Sequence, residues 1–257
     1  MQTIIVTGAG TGIGAAAAIQ LSQRANTRVV LVGRRLTPLE RTAGACQGPC
    51  VVRALDTTDR AGWEDLLASE ELDLHEHPLV GIFANAGIGG PNSFADGADD
   101  RWEEIIRVNL TGTYIAVEAC KPYLAQSATH GPAHVVVTSS VLARFGVPGQ
   151  SAYVASKTGL LGLVRSWATA WSSEGILVNA ICPGWVETEM AQNSIQALAS
   201  QSGRSYDEEL RVQSALLPTG RISQPEEIAE LVVWLMSGSQ RSMTGQAIDI
   251  NNGSFMG

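Results

Sequence analysis

The chain has little of what marks a disulfide, metal, nucleic-acid or membrane protein. Four of its 257 residues are cysteine (Cys46, Cys50, Cys120, Cys182) and four are histidine. The cysteines follow no zinc-site spacing, and Cys46 and Cys50 sit in a Gly/Pro turn; all four read as reduced, cytosolic thiols. His75 and His77 lie in an Asp/Glu-rich loop, and His130 and His134 flank a Gly-Pro turn. No Asp/Glu/His cluster joins them, so no metal is expected. Basic residues are outnumbered, 17 Lys and Arg against 25 Asp and Glu, and the net charge of −8 argues against nucleic acid or an anionic membrane as partner. No apolar run approaches the roughly 18 residues of a membrane span. Met1 leads almost at once into an apolar strand, without a basic or apolar leader, which points to a cytoplasmic protein.

What is present is apolar residues, at 45%, arranged in alternation. Continuous Val/Ile/Leu/Ala runs mark strands at 3–7, 28–33, 50–55, 79–85, 133–139, 176–182 and 246–250. Helical stretches lie between them at 12–25, 60–69, 99–108, 109–127, 151–173 and 225–237, the last opened by a capping-box signal in Ser223-Gln224-Pro225-Glu226. Regular βαβ alternation implies an α/β fold, a doubly wound parallel seven-stranded sheet with helices on both faces. With no linker or repeat, 1–257 reads as one domain. The polar, Gln/Ser-rich stretch at 188–217 interrupts the alternation and reads as a substrate lid.

Two motifs carry chemistry. After the first strand, Gly8, Gly12 and Gly14 open a helix. Glycines there let a backbone approach a pyrophosphate, and the helix N-terminus offers amide N–H groups and positive dipole. Tyr153 and Lys157 stand four apart, on one helical face, and Ser140 comes thirteen residues before the tyrosine. An ammonium beside a phenol lowers a pKa that is otherwise about 10 and makes the phenol a usable acid near neutral pH. Together these features point to hydride transfer between a nicotinamide cofactor and a carbonyl or alcohol.

Thr7-Gly8-Ala9-Gly10-Thr11-Gly12-Ile13-Gly14, Asn85-Ala86-Gly87, Asn109, Ser140, Tyr153, Lys157, Pro183-Gly184 and Thr188 resemble the motifs of the short-chain dehydrogenase/reductase family in order and spacing. The resemblance implies a Rossmann fold and a catalytic set of Asn109, Ser140, Tyr153 and Lys157. Cofactor contacts carried over are Gly8, Thr11, Gly12, Ile13, Gly14, Arg34, Asp56, Thr57, Asn85, Ala86, Gly87, Tyr153, Lys157, Pro183, Gly184, Val186 and Thr188. Asp56 resembles the acid that meets the adenine amino group, or it caps a helix. Asn85 resembles a residue that also ties the sheet together. Gly33 stands where NAD enzymes carry an acid and Arg34 follows, so NADP(H) is favoured over NAD(H), although Thr11 replaces a second basic determinant. Pro183 to Met190 and Leu217 to Arg221 resemble oxoacyl and polyketide ketoreductases. An NAD-dependent secondary alcohol dehydrogenase is the alternative; a non-catalytic cofactor sensor would have lost the Tyr or the Lys. Arg144 reads as a solvated loop arginine, with a carboxylate or phosphate clamp as the alternative. The apolar excess on helix 151–173 (Leu160, Leu161, Leu163, Val164, Trp167, Trp171), with the family's habit of pairing its helices, implies a homotetramer acting on a small-molecule substrate.

Overall fold

Continuous apolar runs make parallel strands because both faces of the sheet need cover. The computed structural model describes residues 1–257, apart from the side chains of residues 98 and 99. Seven strands, β1 (Gln2–Thr7), β2 (Thr27–Gly33), β3 (Cys50–Ala54), β4 (Leu79–Ala84), β5 (Ala133–Thr138), β6 (Ile176–Pro183) and β7 (Ala247–Ile250), form one all-parallel sheet in the order 3-2-1-4-5-6-7. The winding reverses between β1 and β4, which opens a crevice at the carboxyl ends of these strands.

The helices are α1 (Gly12–Ser22), α2 (Leu36–Ala45), α3 (Arg60–Leu67), α4 (Trp102–Ile106), α5 (Gly112–Ser127), α6 (Ser151–Trp171), α7 (Glu189–Ser202), α8 (Tyr206–Ala215) and α9 (Pro225–Leu235). One face of the sheet is covered by Trp63, Leu66 and Leu67 of α3, Val117 and Leu124 of α5, and Leu160 and Val164 of α6. The other is covered by Ala16 to Ala18 and Leu21 of α1, Leu39 of α2, and Ile228, Val232 and Leu235 of α9. Each large aliphatic side chain removed from water contributes roughly 1.5–3 kcal/mol. The small side chains of α1 let that helix lie close to the sheet, where Gly14 leaves no room for a side chain: a Cβ there would be 2.2 Å from the Gly8 carbonyl oxygen.

All seven strands fall within one residue of the boundaries expected at each end. Helix α2 was not anticipated: only Leu39 and Thr42 are buried on it, so it carries no apolar stripe. The polar stretch 188–217 holds two capped helices. Thr188 caps α7 by accepting from Ala191 N, Gly203 closes it at φ 70°, and Ser205 with Glu208 forms a capping box on α8. The start of α9 differs by one residue from the signal read in the sequence. Gln224 is the cap, boxed with Glu227, and the Ser223 hydroxyl accepts from Asn252 Nδ2 instead. Residues Arg107–Thr111 form a π turn between α4 and α5. The apolar excess on α6 is used within the subunit: Leu160, Leu161, Val164, Trp167 and Trp171 are buried, and only Leu163 of the six is partly exposed. That excess therefore requires no second subunit. Among the described residues, no helix is long and apolar enough to cross a membrane.

Candidate active site

The glycine loop sits at the β1–β4 crevice. Gly8 and Gly12 have φ of 65° and 55°, the left-handed region where a side chain is strained. A Cβ on Gly8 would lie 2.9 Å from Ala86 Cα, and one on Gly12 would lie 2.9 Å from Thr188 Cγ2. Thr11 precedes α1 in extended conformation, its side chain makes no capping bond, and no acid lies in the first turn. The first amides of α1 and its positive dipole end are thus left for an anion. These residues fit a dinucleotide pyrophosphate, with half-buried Ile13 beside it.

Asn85 ties three strands together. Its Nδ2 donates to the Thr7 carbonyl (3.3 Å), its Oδ1 accepts from Thr138 Oγ1 (3.0 Å), and Thr7 Oγ1 accepts from the backbone N–H groups of Asn85 and Ala86 (3.0 Å each). Asp56 is not a helix cap, since Asp59 caps α3. Its Oδ1 accepts from Thr58 N (2.9 Å) and Thr58 Oγ1 (2.8 Å). Burial opposes ionisation of Asp56, but the Thr58 hydrogen bonds, with Arg107 and Arg34, hold its pKa below the ordinary value. Arg34 is exposed at the end of β2, with no salt bridge to it among the described residues. Its neighbour Arg35 pairs with Glu189 at 3.3 Å. The Thr57 side chain is buried against Gly112, where a Cβ would meet its hydroxyl at 2.6 Å, and its carbonyl accepts from Trp63 Nε1.

The four expected catalytic residues come together at the carboxyl ends of β4 and β5. Ser140 follows β5 and caps the short turn Val141–Ala143, accepting from Leu142 N at 3.1 Å. Tyr153 and Lys157 share a face of α6, with Lys157 Nζ 5.7 Å from the centre of the phenol ring. A Cβ on Gly87 would lie 3.2 Å from Asn109 Oδ1 and 3.4 Å from Lys157 Nζ, so three elements converge there. Asn109 is fully buried on the π turn, a feature frequent at functional sites. It accepts from Ile88 N (2.8 Å) and donates to Ile88 O (2.9 Å) and Ser156 Oγ (3.1 Å), holding the loop after β4 against α6. The adjacent serines have separate tasks: Ser139 Oγ donates to the Lys157 carbonyl at 2.8 Å.

Burial raises the Tyr153 pKa, and a hydrogen bond with Ser140 opposes the rise. Burial pushes Lys157 down to about 8, with nearby Cys182 pulling the other way. The Lys157 Nζ, 5.7 Å from the phenol ring centre, donates to the Thr138 carbonyl at 2.8 Å.

The segment after β6 closes the crevice. Pro183 ends β6, and Gly184 N donates to Ile250 O at 3.2 Å. Val186 is buried and bridges to Ser223; Thr188 faces Gly12. Met190, which the sequence did not single out, lies over Gly89, where a Cβ would be 3.1 Å from its sulfur and 3.9 Å from Tyr153 Cε2. Arg144 is neither solvated nor a free clamp: it pairs with Asp249.

A profile of the short-chain dehydrogenase/reductase family, described as enoyl-(acyl carrier protein) reductase, matches residues 8–254. The chain belongs to that family. This short-chain dehydrogenase/reductase is 34% identical over 256 residues to 2-(S)-hydroxypropyl-CoM dehydrogenase 3 of Xanthobacter autotrophicus, with 98% of this chain and 96% of the relative covered. It is 29% identical over 255 residues to the 3-oxoacyl-[acyl-carrier-protein] reductase FabG of Thermotoga maritima, covering 98% and 97%. Among solved structures it resembles an actinorhodin polyketide ketoreductase variant with NADPH, at TM-score 0.89 and 29% identity, covering 98% of this chain and 97% of that one. It is an oxidoreductase that moves hydride between a nicotinamide cofactor and a ketone or secondary alcohol.

Proposed function

We propose that the chain is an NADP(H)-preferring ketoreductase acting on a 3-oxoacyl- or polyketide-type ketone. The observation that carries the reading is the meeting of Ser140, Tyr153, Lys157 and Asn109 beside the glycine loop. A nicotinamide cofactor held at this crevice would supply hydride to the carbonyl carbon. As negative charge builds on the carbonyl oxygen, the Tyr153 O–H gives it a proton and the Ser140 hydroxyl donates a hydrogen bond to it. Lys157, at about 8 and 5.7 Å from the phenol ring centre, exchanges protons near neutral pH and would relay a proton toward the phenol. We assign Asn109 to that relay, with its side chain holding the Ile88 loop against α6. Tyr153→Phe should lower kcat by at least about 10²-fold with cofactor affinity unchanged. A variant within threefold of wild type, over a panel of ketones and alcohols, would overturn the assignment.

Preference for NADP(H) rests on Gly33 in place of an acid and on exposed Arg34, whose planar fork suits a 2′-phosphate. We assign the adenine to Asp56 and the backbone of Thr57, the adenosine ribose to Asn85, Ala86 and Gly87, and the carboxamide to Pro183, Gly184, Val186 and Thr188. The second reading, an NAD-dependent secondary alcohol dehydrogenase, is favoured by the 34% identity to the hydroxypropyl-CoM dehydrogenase and by Thr11 in place of a base. Initial rates with NADPH and NADH, in both directions, separate the two.

We infer that 188–217 is a substrate lid. Helices α7 and α8 pack chiefly on each other, while Thr188 and Met190 reach Gly12 and Gly89. We also infer a homotetramer with two-fold axes, from the exposed Tyr114 on α5 and Trp234 on α9. A monomer mass by light scattering would refute it. All four cysteines are thiols, which suits a cytoplasmic setting.

A further inference from the structure

Arg144 ends the turn that begins at Ser140. The turn is a continuous set of hydrogen bonds: Leu142 N to Ser140 Oγ (3.1 Å), Ala143 N to Ser140 O (2.9 Å) and Arg144 N to Val141 O (2.9 Å). The guanidinium leaves this turn and grips β7. Its Nε donates to Asp249 Oδ1 (3.2 Å), and its Nη2 donates to Asp249 Oδ2 (3.1 Å) and to the Ala247 carbonyl (2.8 Å). The two side chains are only 23% and 27% exposed, so the two-pronged contact is partly shielded from water. The C-terminal tail closes over the pair. Phe255 lies 6.0 Å from the guanidinium carbon and stacks on Phe145 with centroids 6.5 Å apart. Cys182, at the end of β6, lies near both members of the pair.

We propose that Arg144 and Asp249 are a positioning pair, which holds the Ser140 turn against the C-terminal strand and so fixes the Ser140 hydroxyl beside the Tyr153 phenol. The proposal rests on the reading of Ser140 and Tyr153 as the reacting pair. Neither Arg144 nor Asp249 is assigned any contact with substrate or cofactor. The ion pair acts through three backbone and side-chain hydrogen bonds, over a turn too short to flex independently. The charged group set against the phenol ring is Lys157, 5.7 Å from its centre, while Cys182 on β6 lies near Lys157, Arg144 and Asp249; Arg165 also lies on α6, and Glu189 on α7 pairs with Arg35.

Positioning and bare charge predict different signs. In the alcohol-oxidising direction the rate rises as the phenol ionises, so the rising limb of the pH profile reports the proton affinity of Tyr153. Removing the Arg144 charge would move that limb up by its field alone, and removing the Asp249 charge would move it down. A loosened Ser140 moves it up in both cases, because Ser140 opposes the rise that burial imposes on the phenol's pKa. The experiment measures full pH profiles of kcat for wild type, Arg144→Gln, Asp249→Asn, Ser140→Ala and Tyr153→Phe, with melting temperature and cofactor Kd for each. Upward movement of about 0.5–1 pH unit is expected in both Arg144→Gln and Asp249→Asn, the size one hydrogen bond supports. A three- to tenfold fall in kcat and a cofactor Kd within twofold should accompany it. Opposite movements in the two variants, or no movement in either, would overturn the proposal. If instead Tyr153→Phe and Ser140→Ala keep full activity, the catalytic reading itself fails, which is a separate result.

Discussion

Lys157→Met should make the enzyme inactive and, without cofactor, no less stable. Lys157 is 4% exposed, and burial takes its pKa from 10.5 to about 8. At about 1.4 kcal/mol per pH unit, the charged form bears a burial cost of about 3 kcal/mol in the folded chain at neutral pH. Methionine has a similar length and carries no charge. Against the gain stands the lost hydrogen bond from Nζ to the Thr138 carbonyl, which costs about 1–3 kcal/mol if that oxygen is left unpaired. The net effect at pH 7 is a gain of about 1 kcal/mol. The pH dependence is the sharper test. Between pH 8 and 10.5 the unfolded lysine keeps its proton while the folded one has released it. The unfolded state then binds more protons, so the wild type gains stability as pH rises. Below pH 8 both states are protonated and the gap between the proteins is constant. Urea denaturation of both proteins, free of cofactor, at half-unit steps from pH 7 to 9.5 measures this. The stability of the variant relative to wild type should fall by about 2 kcal/mol between pH 8 and 9.5, turning its advantage into a deficit of about 1 kcal/mol. Parallel stability curves over that range would refute the reasoning, because they would mean that the ammonium is solvated in the folded chain.

Arg34→Ala should weaken NADPH by about 10–100-fold, the worth of a charge-assisted contact, and leave NADH nearly unchanged; equal weakening of both, read by fluorescence titration, counts against a 2′-phosphate contact. His134 is 4% exposed on β5, with its pKa lowered to about 4 by burial and by Arg24. Below pH 6.5 only the unfolded state takes up that proton, so stability falls as pH drops toward 4. His134→Val should therefore lose about 2 kcal/mol less than wild type between pH 6.5 and 5 in acid denaturation, and equal losses would exclude this histidine as the cause. Hydrogen exchange across 189–216 should slow when NADPH and substrate bind; unchanged protection would remove the lid from the mechanism.

The strand frame was legible because burial on both faces leaves an unbroken apolar run, as in Val135-Val136-Val137. The glycine loop was legible for a steric reason: Gly8, Gly12 and Gly14 are each required where a Cβ would strike backbone or side chain. Helix α2 and the two helices within 188–217 were not legible as elements. The buried sides of α2 and α8 are narrow, Leu39 and Thr42 on one and Glu209 alone on the other, and the buried stripe of α7, Ala191, Ile195 and Ala199, has one large apolar side chain among polar neighbours. The opposite error arose on α6. Its broad apolar surface reads as two faces in sequence, yet five of its six large side chains pack inside one subunit.

Sequence by itself determined the parallel sheet, the position of the glycine loop and the spacing that puts Tyr153 and Lys157 on one helical face, because each follows from local periodicity or a local steric demand. Tertiary structure decided what those residues experience. Desolvation and partner choice depend on groups far away in the chain. Burial raises the phenol's pKa and Ser140, thirteen residues before Tyr153, opposes that rise; the Thr138 carbonyl, nineteen residues before Lys157, takes the ammonium. The Asp249 that claims Arg144 lies 105 residues further on. A spacing can bring two side chains to one face, but only the packed crevice sets which of them is buried, which is charged and which bond each one keeps.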